Sequence, residues 1–75
     1  MSVQGRFAEW IEATGVGREG VAALLKCAPS YVSLLKTGRR TPSLKIAARI
    51  ERYSRRWPEG PIMAAEWAES EVEAA

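Results

Sequence analysis

The sequence predicts an all-α fold, a compact bundle of about five short helices in one small domain. Three observations lead there. Apolar residues recur three and four positions apart in segment after segment, which is the helical period. No segment alternates apolar and polar residues with β-branched enrichment, so no strand is predicted. Glycine and proline cut the chain into pieces of helical length, with no repeat and no low-complexity linker between them.

The first predicted helix is Ser2–Thr14, with Phe7, Trp10 and Ile11 on one face, Ser2 as its cap and Gly15 as its stop. The second is Arg18–Lys26, capped by Gly17, with Val21, Ala22, Leu24 and Leu25 on one arc. Gly20 inside it costs about 1 kcal/mol against alanine, which suggests a need for close packing. The third runs from Pro29, suited to a first helical turn, to Thr37, and Gly38 ends it; Val32 and Leu35 point to the core.

The fourth is expected from Pro42 to Arg56, with Thr41 as N-cap. Its core arc holds Ile46, Ala47, Ile50, Tyr53, Ser54 and Trp57, and a neighbouring stripe holds Lys45, Arg49, Arg52 and Arg56. Trp57-Pro58-Glu59-Gly60-Pro61 breaks the chain, and a final helix is expected over Ile62–Glu73. We therefore divide the chain into residues 1–57 and a helical tail, residues 58–75, of the same domain. Three tryptophans exceed what so small a core encloses, so Trp57, Ile62, Met63 and Trp67 are assigned to packing across a two-fold axis in a homodimer. The alternative is a tail that folds back and finishes the monomer core.

The composition narrows the chemistry. The chain has no His, Asp or Asn and a single Cys, so the usual triads, metal clusters and internal disulfides lack their side chains. No enzyme, cofactor, metal or small-molecule substrate is expected. Cys27 reads as a small core residue and not as a reactive thiol. With no signal peptide and no apolar run longer than Val21–Leu25, a cytoplasmic protein without a membrane partner is expected.

The net charge of +2 hides a split. Residues 1–60 carry 11 basic and 5 acidic groups, whereas residues 61–75 carry 4 acidic groups and no basic one. Lys36–Arg56 holds 8 of the basic residues against one acid, Glu51, and such a block points to a polyanion.

The second and third helices are joined by only two or three residues around Cys27-Ala28, the spacing of a helix-turn-helix. The stretch VAALLKCAPSYVSLLKTGRRTPSLKIAARIE, residues 21–51, resembles the Cro/CI-like (XRE-type, lambda-repressor-like) helix-turn-helix of phage and bacterial repressors. YVSLLKTGRRTPS followed by AARIE is especially similar to small Cro-like and YdaS-like regulators. Two departures stand out: Lys26 occupies a turn position where glycine is common, which predicts a slightly strained turn, and the segment after Tyr53 matches no family tail.

The resemblance implies sequence-specific binding of double-stranded operator DNA as a homodimer. It places Ala28, Pro29, Ser30, Ser33, Leu34 and Thr37 at base edges and Arg18, Tyr31, Lys36, Arg39, Arg40, Thr41, Ser43 and Lys45 at phosphates. Capping is an equal alternative for Thr41 and Ser43. Arg49, Arg52, Arg55 and Arg56 are assigned to solvating their face of the fourth helix, with direct DNA contact as the alternative. No Arg, Gln or Asn projects from the body of the third helix, so specificity would rest on hydroxyls, DNA shape, or Arg39 and Arg40. The competing reading is the same fold used as a protein-interaction module, such as an antitoxin or an anti-repressor partner.

Overall fold

A computed structural model describes residues 2–74 of the chain, and side chains through residue 69. Five helices follow one another, α1 (Val3–Thr14), α2 (Gly17–Leu25), α3 (Pro29–Thr37), α4 (Leu44–Ser54) and α5 (Ala64–Ala74), and no strand forms among the described residues. The all-α prediction stands. The Cα radius of gyration is 11.1 Å, close to the roughly 11 Å of a compact chain this long, so α5 packs against the rest.

The helix ends follow from local chemistry. Ser2 caps α1 by accepting from the Gly5 N–H at 3.1 Å, and Gly15 closes it at φ +72°. At the end of α2 the Cys27 N–H donates to the Ala22 carbonyl at 3.0 Å and the Lys26 N–H to the Ala23 carbonyl at 3.3 Å. That closure requires a left-handed residue, and Lys26 supplies it at φ 57°. A side chain there costs about 1–2 kcal/mol relative to a right-handed conformation, the strain the sequence anticipates. Gly38 plays the same part after α3 without that cost.

Two boundaries differ from expectation. The N-cap of α4 is Ser43, whose Oγ accepts from the Ile46 N–H at 3.3 Å, and Pro42 is buried ahead of the helix. Thr41 and Ser43 are both competent caps in sequence; the inward packing of Pro42 selects the second. Helix α2 begins at Gly17 with Val16 before it, and a Cβ on Gly20 would lie 2.5 Å from the Val16 Cβ, which explains glycine inside a helix.

The core joins Phe7, Trp10 and Ile11 of α1 to Val21 and Leu25 of α2, Val32 and Leu35 of α3, and Ile46 and Ile50 of α4. Helix α2 packs on α1, α3 and α4, while α5 closes the far side on α1 and α4. Leu24 and Tyr53, expected on core arcs, lie at their margins and are partly exposed.

The assignment of Trp57, Ile62, Met63 and Trp67 to a two-fold interface is corrected for Ile62 and Trp67. Ile62 is fully buried and Trp67 is 2% exposed, both inside the chain's own core. Trp67 meets Phe7 edge-on, with ring centroids 5.5 Å apart. A chain this small gains more by covering Phe7 at once than by leaving it for a second copy. Trp57 is half-buried against that core beneath the Arg6 guanidinium, 5.8 Å from the ring centroid, and Met63 stays exposed.

Polar contacts tie the tail down. Arg6 forms an ion pair with Glu66 and donates to the Glu59 carbonyl. The Glu66 carboxylate also accepts from the Met63 N–H at 2.7 Å, and Glu51 on α4 accepts from the Ala64 N–H at 2.9 Å. Two carboxylates thus satisfy the first N–H groups at the positive end of α5. The loop before it hangs on Ser54, whose hydroxyl donates to the Ile50 carbonyl at 2.6 Å and accepts from the Ile62 N–H at 2.9 Å.

Candidate nucleic-acid interface

Helices α2 and α3 are linked by three residues, Lys26, Cys27 and Ala28, and pack directly on each other. Val32 and Leu35 face the core, which turns the opposite side of α3 outward. Ala28, Ser30 and Thr37 are exposed there, while Pro29, Ser33 and Leu34 are half-buried.

The hydroxyls on this side are already oriented. Arg18, at the start of α2, donates from Nη1 to the Ser33 Oγ at 2.9 Å. The predicted phosphate ligand and the predicted base reader therefore sit together, and Ser33 keeps its own O–H as a donor. Thr37 donates to the Ser33 carbonyl at 3.1 Å, which leaves its oxygen as an acceptor. Lys36 lies beside Arg18 in a shallow cleft of about 310 Å³ that also touches Glu12 and Gly15. The outward surface around Ser33 is thus richer in guanidinium donors than the α3 sequence alone implies.

Tyr31 is half-buried, and its hydroxyl oxygen accepts from the Ser43 N–H at 3.3 Å. It positions the start of α4 and still has a proton to donate. Ser43 is the α4 cap, so of the two equal readings of that residue the capping one is seen; Thr41 is exposed and does not cap. Arg39, Arg40 and Lys45 are exposed around the connection between α3 and α4.

Charge is left uncompensated across this region. Among the described residues Arg6–Glu66 is the one ion pair, so none of the eight cations between Lys36 and Arg56 has a described acid within bridging distance. Glu51, the single acid of that block, is turned away to the start of α5.

Arg49 does more than solvate its face. It is half-buried and donates to the Leu25 carbonyl at 2.9 Å, taking up a free acceptor at the end of α2. Its period on α4 is legible in sequence, but its carbonyl partner on α2 is not. Cys27 is half-buried against the core, and burial pushes its thiol up from the ordinary value, with Arg49 opposing. No helix among the described residues is long and apolar enough to cross a membrane.

Compared with known families, curated proteins and solved structures, the chain matches no family model, no curated protein and no solved structure.

Proposed function

We propose that the chain is a sequence-specific, double-stranded-DNA-binding transcriptional regulator of the Cro/CI-like kind, a repressor of a phage or mobile-element operon that binds its operator as a homodimer. The observation that carries this reading is the α2–α3 pair: three linking residues, an outward α3 side without an acidic residue, and Arg18, Lys36, Arg39, Arg40 and Lys45 around it. With side chains an α-helix is about 10–12 Å across, a fit to a major groove about 12 Å wide. Ser30, Ser33 and Thr37 would meet base edges, Leu34 a thymine methyl, and the surrounding cations the phosphates.

The test is an anisotropy titration against the DNA upstream of the gene at two salt concentrations. Five phosphate-contacting cations per protomer, ten in the homodimer, predict a slope of log K on log salt of about −9. Arg40→Ala, which removes one contact from each protomer, should weaken binding to all sequences and flatten that slope by about 1.8. Ser33→Ala should instead relax sequence preference. A folded protein with no affinity above the non-specific level at either salt defeats the proposal and reassigns α3 to a protein partner.

A further inference from the structure

A further cluster of cations lies beside α3 and not on it. Between the end of α2 and the length of α4 runs a groove of about 380 Å³. Leu24 and Ala48 form its apolar floor, Tyr53 one end, and Lys26, Lys45, Arg49 and Arg52 its rim. Among the described residues no acid lines it. We propose that this groove is a second anion site, built for closely spaced phosphates and joined to the α3 face only through Lys45.

Two features of the rim point to a ligand. Arg49 is held by its bond to the Leu25 carbonyl, so its guanidinium is fixed in place with further N–H donors to spare. A fixed guanidinium binds an oxyanion with less ordering cost than a free one. Lys26 holds its place at φ 57°, ψ 49°, a conformation that suits glycine and strains a residue with a side chain. The strain gives nothing to the helix end, since the same backbone hydrogen bonds form with glycine. What the position gains is a fourth cation on the rim.

Lys45, Arg49 and Arg52 lie along one side of α4 over about 10 Å, long enough to meet more than one phosphate group. Tyr53 adds a hydroxyl donor and a flat ring at the end of the groove. Four like charges on a rim without an acid repel one another until a multivalent anion enters. The shared ligand chemistry is a run of phosphates, whether a free polyphosphate or the diester backbone of nucleic acid.

The experiment follows backbone amide shifts of the full chain by ¹H–¹⁵N NMR at low salt. One arm uses inorganic tripolyphosphate, the other a short DNA duplex of arbitrary sequence. Tripolyphosphate is expected to give saturable shifts at Leu24, Lys26, Ala48, Arg49, Arg52 and Tyr53 while Ser30, Ser33 and Thr37 stay still. Lys26→Gly relieves the strain but adds glycine's backbone entropy, so it should raise the melting temperature by about 2–8 °C and yet weaken tripolyphosphate binding about two- to fivefold. Arg52→Gln should weaken it similarly with little change in melting. Duplex that shifts the groove amides and is displaced by tripolyphosphate assigns the site to a nucleic-acid backbone; duplex that leaves them unmoved assigns it to a free polyphosphate. Shifts that never saturate and extend equally to Arg55 and Arg56, or wild-type binding by both variants, overturn the proposal. Failure of the DNA reading registers separately, as α3 amides that duplex does not move.

Discussion

Replacing Ser54 by alanine tests how the tail is held. The side chain is fully buried, and its oxygen receives the N–H of Ile62, itself fully buried, at 2.9 Å. Alanine leaves that N–H without a partner in an apolar setting, at a cost of about 1–3 kcal/mol. The bond from Ser54 to the Ile50 carbonyl matters less, because that carbonyl also belongs to the α4 ladder. Alanine recovers up to about 0.5 kcal/mol in helix propensity. The net loss expected is about 1–2 kcal/mol. A domain of this size holds roughly 4–11 kcal/mol in all, and each 1 kcal/mol shifts its melting temperature by about 4–8 °C. Urea unfolding followed by tryptophan fluorescence gives the loss, and hydrogen exchange at the Ile62 amide gives its location. Ser30→Ala, an exposed change of the same chemistry, should stay within about 0.5 kcal/mol. If Ser54→Ala also falls within that margin and Ile62 stays protected, the reasoning fails.

Other outcomes follow from the same contacts. A Cβ at Gly60 would lie 2.2 Å from the Ser54 carbonyl oxygen, so Gly60→Ala should cost about 1–3 kcal/mol in chemical denaturation. Deleting residues 62–75 removes Ile62 and Trp67 from the core and should abolish cooperative unfolding, whereas a tail serving only assembly would leave a folded monomer. Cys27 should react with a disulfide reagent more slowly in the folded chain than in urea at pH 8. Because burial raises its folded pKa, the protonated thiol is favoured by folding, and the stability it contributes should fall as pH climbs above the ordinary thiol value.

Local signals made the first half of the chain legible. Ser2, Gly15, Pro29 and Gly38 mark helix ends by side-chain chemistry or backbone freedom, and each does so where the pattern places it. Lys26 was legible as strain for the same reason. The α4 period correctly put Ser54 on the buried arc, but no period reveals that it would hold Ile62, eight residues away. Thr41 and Ser43 offered equivalent caps, and only the burial of Pro42 separates them. Of the two readings of the tail, Ile62 and Trp67 follow the folded-back one, because apolar residues look alike in sequence whether they cover their own core or a neighbour's. The bonds of Arg18 to Ser33 and of Arg49 to Leu25 join helices by long side chains, which sequence spacing does not encode.

The contact of Arg6 with Glu66, sixty residues apart, has a consequence for synthesis. Phe7 lacks its edge-on partner until Trp67 has been made, and α5 lacks its tie to α1 until Glu66 can reach Arg6. The nascent chain therefore cannot complete its core while α5 is still being translated. A product stopped early would carry an intact α2–α3 pair in sequence but no finished core beneath it. Such fragments should be cleared by proteases before they compete with the full-length protein for its ligand.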